Sequence, residues 1–360
     1  MDNLNIDNNE LIEEKESVFI KCDGCGSNMV FDPLSQTLKC EYCGNKHEFQ
    51  KDANVKELEI EQAFLADQSW NSETRAYRCE NCGASFVMGS DDVAVACPYC
   101  STSHIVQTED LTGIKPGAVY PFLIDKSKAV EASKKWARGR IFAPASYKKN
   151  LKEENVHGVY MPCFTFDSQT YSVYDGRIGK RKTRTVRRDG KTYTETYIDW
   201  RRVSGTYEMF FDDILISAGD IEQSSLNKIG DCARETLCVY EKKFLAGFTA
   251  SHYTRDIKEC WNHAKKEMDQ RLRTAILNMY FCDVVDYLNV STKHRDVTYK
   301  YVLLPFYRLN YTFKKKIYPV LVNGNSSRVT GKAPVSPFRV AIAVLLGISL
   351  LALFLYLSAN

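Results

Sequence analysis

Cys22-Asp23-Gly24-Cys25 and Cys40-Glu41-Tyr42-Cys43 lie near the start of the chain, and Cys79-Glu80-Asn81-Cys82 and Cys97-Pro98-Tyr99-Cys100 repeat the pattern. Fourteen residues separate the pairs in each half, and the halves are offset by 57 residues. Four thiolates at this spacing can surround one Zn²⁺, and a site closed by four protein ligands is structural. The spacing predicts two tandem zinc ribbons with two structural Zn²⁺ ions. The predicted ligands are Cys22, Cys25, Cys40 and Cys43, then Cys79, Cys82, Cys97 and Cys100.

A histidine follows the last cysteine of each ribbon by four residues, at His47 and His104. A tetrahedral site has no need of a fifth ligand. We expect each histidine to lie in a strand or to hydrogen-bond to a ligand, with replacement of one cysteine as the alternative.

The composition is that of an ordinary globular protein. The chain has 360 residues, of which 44% are hydrophobic and 26% are charged. The net charge of +3 excludes a polycation, so any basic surface must be local. Ligating thiolates must stay reduced, which indicates a cytosolic location for the ribbons. A disulfide framework is the alternative, but the polar start of the chain lacks the apolar segment of a signal peptide.

The other end of the chain carries residues 340–357 (VAIAVLLGISLLALFLYL), which include no charge. Eighteen residues in a helix are long enough to cross a bilayer core, and a buried core helix is the alternative. Lys332 and Arg339 precede this segment, whereas no charge follows it. The positive-inside rule therefore predicts a single-pass protein of the cell membrane with its N-terminal bulk in the cytoplasm.

The predicted fold class is α+β, with β-rich ribbons, a mixed body and one C-terminal transmembrane helix. The predicted order is a disordered N-terminus (1–17), zinc ribbon 1 (18–50), a helical spacer (51–74), zinc ribbon 2 (75–108), an α+β body (109–331), a linker (332–337) and the transmembrane helix (338–358).

Periodicity predicts the main elements of the body. Residues 126–138 form a helix that Ser127 could cap, and residues 259–280 place apolar side chains on one face of a second helix. Between them, residues 159–216 read as a β region with a hairpin turn at Asp189-Gly190. Residues 284–290, 298–304, 306–313 and 318–322 read as four short strands.

Catalytic motifs are missing from the sequence. Gly190-Lys191-Thr192 matches the end of a P-loop, but Thr185 stands where its first glycine belongs. There is no HExxH metalloprotease motif and no GxSxG nucleophile elbow. Cys163 could be a reactive thiol, although its apolar neighbours favour a buried structural role. We therefore predict a protein that is not an enzyme.

The strongest local charge lies in residues 177–191 (RIGKRKTRTVRRDGK), which hold eight basic residues and one acid. Three interpretations remain open: a solvated hairpin face, contact with anionic lipid, and contact with nucleic-acid phosphates. The candidate contact residues are Lys180, Arg181, Lys182, Arg184, Arg187 and Arg188.

Several phrases in fixed order resemble a family of bacterial membrane-anchored zinc-ribbon proteins. They are Lys115-Pro116-Gly117, Phe142-Ala143-Pro144, Gly158-Val159-Tyr160-Met161-Pro162, Phe244-Leu245-Ala246-Gly247-Phe248 and Leu303-Leu304-Pro305-Phe306-Tyr307. Such proteins are often labelled transcription factor IIB-type zinc ribbons or primosomal protein (replication factor Y)-like. Residues 323–331 (NGNSSRVTG) depart from the usual family phrase, which alters a turn.

The resemblance implies zinc ligands but no catalytic residues. Some relatives occur beside phage-shock-protein-A-like and flotillin-like (SPFH) proteins, which suggests a membrane-stress assembly. We therefore expect a membrane-anchored scaffold that recruits membrane proteins and lies against lipid. The alternative is a membrane-tethered regulator that binds nucleic acid through its ribbons and basic hairpin.

Overall fold

The computed structural model describes residues 20–65, 74–79, 85–89, 105–107, 114–149, 153, 156–313 and 316–359. These residues form a mixed α+β protein with one apolar helix at the C-terminus, which confirms the predicted fold class at this level. The predicted disordered segment 1–17 and the cysteines Cys82, Cys97 and Cys100 lie outside the described residues.

The first cysteine region folds as a small antiparallel sheet. Its strands are β1 (Met29–Asp32), β2 (Thr37–Cys40) and β3 (Lys46–His47), in the order β1-β2-β3. The sheet packs on the body, because the Phe31 N–H donates to the Ala246 carbonyl at 2.9 Å. The Phe31 and Phe244 rings also lie edge to face, with centroids 5.5 Å apart. The small sheet therefore shares the core of the body.

Short elements connect this sheet to the long strands. They are β4 (Leu58–Glu59), α1 (Ile60–Leu65), β5 (Thr74–Cys79), β6 (Ser85–Gly89), β7 (Ile105–Gln107), β8 (Ala118–Val119), α2 (Lys126–Arg138) and α3 (Ala145–Lys149). Helix α2 has the predicted bounds, but the predicted cap is wrong. Asp125, with extended backbone, is the N-cap, and its carboxylate accepts from the Lys128 N–H at 2.8 Å.

The β region is one long hairpin. Strand β9 (Val156–Arg188) and strand β10 (Lys191–Ser217) pair antiparallel and meet at the predicted turn. Asp189 and Gly190 have φ values of 50° and 75°, so this turn takes the doubly positive conformation that Asp-Gly favours.

The rest of the chain covers and extends this hairpin. It comprises α4 (Gln223–Ile229), β11 (Cys238–Val239), β12 (Thr249–Ser251), α5 (Ile257–Tyr280), β13 (Val284–Phe313), β14 (Lys316–Asn323), β15 (Val329–Gly331) and α6 (Pro337–Ala359), with 3-10 turns at Arg234–Thr236 and Lys242–Leu245. The prediction of separate short strands was wrong for the first three, because they join into the single strand β13.

Twelve strands of the described part of the chain form the main sheet, with β9 at its centre. Strand β13 pairs along one side of β9, and β10 pairs along the other. Strands β5, β6 and β7, from the region of the predicted second ribbon, join the same sheet through β6 and β12. Helix α5 covers one face of the long strands, where Trp261 contacts Phe166 and Tyr280 contacts Tyr174.

Candidate metal centre and basic hairpin

Four thiols of the first cysteine region meet at one point. The Sγ atoms of Cys22 and Cys43 lie 3.5 Å apart, as do those of Cys25 and Cys40. All four sulfurs lie within 4.8 Å of one another. A tetrahedral thiolate site with metal–sulfur bonds of about 2.3 Å has sulfurs about 3.8 Å apart. We call these residues the cysteine cluster, and they can bind one metal ion.

Two glycine turns shape the cysteine cluster. The Gly26 N–H donates to the Cys22 carbonyl at 2.8 Å, and the Gly44 N–H donates to the Cys40 carbonyl at 2.9 Å. Both glycines have positive φ, of 70° and 75°. A side chain is strained in this conformation, so the C-x2-C-G pattern of each pair has a direct physical reason.

The environment of the thiols favours metal binding. The Gly24 amide lowers the pKa of Cys22 to about 6, which favours its thiolate. The Asn45 amide favours the thiolate of Cys43, but the neighbouring Cys22 and Cys25 sulfurs raise the pKa of Cys43 to about 12. Four crowded thiols therefore resist full deprotonation until a cation neutralises them. Cys22 and Cys40 are buried, whereas Cys25 and Cys43 face solvent.

The second set of predicted ligands is described only at Cys79. This residue ends β5 and is fully buried. Cys82, Cys97 and Cys100 lie outside the described residues, as does His104, so the second metal site stays a prediction. His47 lies in β3, in agreement with the expected strand position.

The predicted contact residues lie at the end of the long hairpin. Strand β13 begins beside Gly179, so residues 180–199 continue as a two-stranded ribbon beyond the sheet. Nine residues per strand extend roughly 30 Å at about 3.3 Å each. We call residues 180–199 the basic hairpin. All six candidate residues lie in it: Lys180, Arg181, Lys182, Arg184, Arg187 and Arg188.

Some cations of the basic hairpin are paired and others are not. Lys182 forms an ion pair with Asp199 at 2.6 Å, and Arg184 pairs with Glu195 at 2.9 Å. Among the described residues, Arg187 and Arg188 near the turn have no carboxylate partner. A positive charge that no carboxylate of the same chain neutralises is available to bind an anionic partner.

An open cleft of about 570 Å³ lies where the basic hairpin leaves the sheet. Arg201 donates to the Tyr280 carbonyl at 2.7 Å, which joins the hairpin to the end of α5. Phe281 follows α5 with a φ of 48°, and 82% of it is exposed. The cleft is lined by Gly179, Lys180, Lys182, Asp199, Arg201, Met279, Tyr280, Phe281 and Cys282.

A cluster of buried ionic side chains lies at the point along the long strands beyond which one of the two faces of the sheet is no longer buried. Lys300 is 8% exposed, and its Nζ lies 2.7 Å from Glu57 and 2.8 Å from Asp213. Burial opposes its charge, but its hydrogen bonds to Asp213 and Glu57 raise its pKa above the usual value. Burial also raises the pKa of Asp167, 3.7 Å from the ammonium, to about 6.

The sequence analysis missed this ion cluster. Asp167, Asp212 and Asp213 lie close enough to hold a cation, but the Lys300 ammonium already lies 2.8 Å from Asp213 and 3.7 Å from Asp167, and Arg234 pairs with Asp212 at 2.7 Å. The available signal is Lys300 itself, a charge within the apolar stretch of β13. We interpret the cluster as a structural feature that joins β9, β10 and β13 through Asp167, Asp213 and Lys300.

The comparisons with known proteins add one relative. No protein-family model matches the chain, and no solved structure matches it. The chain is similar to the uncharacterized protein YdjG of Bacillus subtilis (strain 168), with 25% identity over 325 residues. The similarity covers 89% of this chain and 91% of that protein, so it extends over most of both.

Proposed function

We propose that this protein is a non-catalytic adaptor, anchored in the cell membrane, that recruits partner proteins to the cytosolic membrane face. The observation that carries the proposal is the basic hairpin. Among the described residues, no third strand pairs with this ribbon of roughly 30 Å, so it adds little to the core, and we infer that it serves to contact a partner. Ten basic and three acidic residues lie between positions 177 and 202.

Zn²⁺ is the ion that best fits the cysteine cluster. Four thiolates form a soft ligand set, and a closed tetrahedral thiolate site is typical of structural zinc. An ion bound by all four sulfurs would have no open position for a substrate. The ion would fix the small sheet of β1, β2 and β3 against the body, where Gln36 also donates to the Phe122 carbonyl at 2.6 Å.

A second Zn²⁺ at Cys79, Cys82, Cys97 and Cys100 belongs to the same proposal. It rests on the repeated spacing and on the place of Cys79 at the end of β5. The second ribbon would then be part of the main sheet, because β6 pairs with β12.

Helix α6 supplies the proposed anchor. Residues Pro337–Ser358 are apolar enough and long enough to cross a membrane, and none of the residues in the most apolar part of this helix is buried. Twenty-two residues span about 33 Å, against a hydrocarbon core of about 30 Å. Lys332 and Arg339 at the N-terminal end favour a cytosolic body.

The chemistry of the hairpin and cleft indicates an acidic protein partner with an apolar anchor. Arg187 and Arg188 can meet carboxylates, while Phe281 and Met279 offer exposed apolar surface at the hairpin base. Such a combination of cations and aromatic side chains is common at binding hot spots. The family resemblance directs the search to phage-shock-protein-A-like and SPFH-type membrane proteins.

The test is affinity capture of the full chain from detergent-solubilised membranes of the source organism, in nuclease-treated and untreated halves. The adaptor proposal expects the same membrane proteins in both halves, and their loss with the double variant Arg187→Glu/Arg188→Glu. The matched control is Lys265→Glu/Lys266→Glu on α5, which reverses an adjacent basic pair elsewhere.

Nucleic-acid binding is the second candidate, and the same ribbon favours it. A two-stranded ribbon can enter the major groove of DNA, and arginines beside threonines suit phosphate contacts. Partners that disappear after nuclease treatment, with binding that weakens steeply as salt rises, would replace the adaptor proposal with this one.

A further inference from the structure

The start of α6 is fastened to the body. The Lys332 N–H donates to the Pro319 carbonyl at 3.3 Å, and the Lys332 ammonium pairs with Glu222 at 3.1 Å. The Ser336 N–H then donates to the Phe142 carbonyl at 2.8 Å, one residue before α6 begins. The predicted linker of residues 332–337 is therefore held against the body and leaves little slack.

The loop between α2 and α3 is held against this start of α6. The Arg339 guanidinium, in the first turn of the helix, donates to the Ile141 carbonyl at 3.0 Å. One helical turn rises about 5.4 Å, so Ile141 lies close to the level at which the uncharged run of α6 begins at Val340.

Large apolar side chains are exposed at this level. Ile141 is 66% exposed, Val335 61% and Phe338 75%. They belong to two segments that hydrogen bonds join, so they form one patch beside the helix. Apolar surface in such a patch indicates a contact with another apolar phase.

Helix α2 adds positive charge to the same end of the body. Residues 126–140 hold six basic residues and one acid. Arg140 lies over the Trp136 ring, with its guanidinium 4.5 Å from the ring centroid. The exposed basic side chains are Lys126, Lys128, Lys134, Lys135, Arg138 and Arg140.

We propose that α2, the loop of residues 139–144 and the start of α6 form a face that docks on anionic lipid. Ile141 and Phe338 enter the headgroup region, and the lysines and arginines of α2 contact lipid phosphates. The inference rests on the proposed membrane insertion of α6. The physical reason is that no flexible linker separates α6 from the body. When α6 crosses the membrane, the surface beside its start is therefore held at the lipid headgroups.

The consequence is a fixed orientation of the body on the membrane. A body on a flexible tether would present every surface to the membrane in turn. A docked body holds the basic hairpin in one direction, which restricts the partners that it can reach.

The test is photo-crosslinking of the full chain in phosphatidylcholine vesicles with and without phosphatidylglycerol. p-Benzoyl-phenylalanine replaces one residue at a time: Ile141 in the proposed face, Leu350 within α6, and Leu34, which is 56% exposed on the small sheet. We expect lipid adducts at 141 and 350 and none at 34, with the adduct at 141 stronger when phosphatidylglycerol is present.

These positions separate the possible failures. Adducts at 350 without adducts at 141 overturn the docking face and leave the anchor intact. No adducts at 350 overturn both the anchor and the inference that rests on it.

Charge reversal tests the role of α2. Lys134→Glu/Lys135→Glu should reduce the adduct at 141 several-fold in vesicles that contain phosphatidylglycerol, without changing the adduct at 350. Lys265→Glu/Lys266→Glu reverses an adjacent basic pair on α5 and should leave the adduct at 141 unchanged. An equal reduction by both variants, or none by the first, overturns the assignment to α2.

Discussion

The two halves of strand β9 differ sharply in what surrounds them. In the first half, Phe164 and Phe166 face one hydrophobic core while Met161 and Cys163 face a second. In the second half, one face lies under α5 and the other is open, so Val173 is 51% exposed. Beyond Gly179, β10 is the only strand among the described residues that pairs with β9.

The two halves of this continuous strand therefore have different roles: the first half contributes to stability, and the second is available for binding. The first half holds the molecule together, because both its faces are buried. The second half is held in place by the first, so its exposed side chains can change with little effect on stability. Two β-bulges mark the boundary, after Phe211 in β10 and after Arg295 in β13, on either side of Asp167.

Metal removal should have the largest effect, and it should fall on the small sheet, which shares a hydrophobic core with the first half of β9. Cys22→Ser breaks the cysteine cluster, and structural Zn²⁺ contributes about 10–16 kcal/mol to isolated zinc-finger peptides. We expect loss of one ion and increased hydrogen exchange in β1, β2 and the Lys242–Leu245 turn. Metal analysis and exchange mass spectrometry measure both. Retention of all bound metal would contradict the assignment.

Truncation of core side chains tests the comparison directly. Phe164→Ala, fully buried, should lower the free energy of unfolding by about 3–5 kcal/mol. Val173→Ala, on the open face, should lower it by less than about 0.5 kcal/mol. Urea denaturation of the chain in detergent checks both values. Equal losses would show that the two halves are equally important to stability.

Asp167, at the boundary between the two halves of β9, should make the stability of the protein depend on pH. The pKa of Asp167 is about 6 in the folded protein, above its unfolded value, so its stabilising contribution is full below about pH 4 and is lost as pH rises through about 6. The free energy of unfolding, relative to Asp167→Asn, should fall by about 2–3 kcal/mol over this range. A flat difference between the two proteins would mean that Asp167 stays ionised.

Charge reversal at the hairpin turn should have the smallest effect on stability. Arg187→Glu/Arg188→Glu removes no packing and no ion pair among the described residues, so unfolding should change by less than about 0.5 kcal/mol. Thermal unfolding measures this change. A large loss would mean that the basic hairpin stabilises the fold.

Local signals in the sequence predicted much of this arrangement. The cysteine spacing identified the first cluster, and Asp189-Gly190 identified the turn. The apolar stripe of Ala264, Met268, Leu272 and Ile276 identified the buried face of α5, but Met279, predicted in the same stripe, is 45% exposed. In each case the pattern and its structural cause lie within a few residues.

The features that were missed depend on distant residues. Lys300 is neutralised by Glu57, 243 positions earlier in the chain, and no local pattern records that pairing. Residues 291–297 lie between two predicted strands, yet they belong to β13 and carry a bulge between Arg295 and Thr298, because β9 continues beside them. The docking of the small sheet through Phe31 and Phe244 is equally non-local.

The most direct test removes the basic hairpin and leaves the rest. Residues 181–198 are replaced by Asn-Gly, which closes a two-residue hairpin, and partner capture from native membranes is compared with that of the wild type. We expect unchanged metal content, membrane association and thermal unfolding, together with loss of the captured membrane proteins. Capture of the same proteins by the shortened chain would contradict the claim that the hairpin is the docking surface.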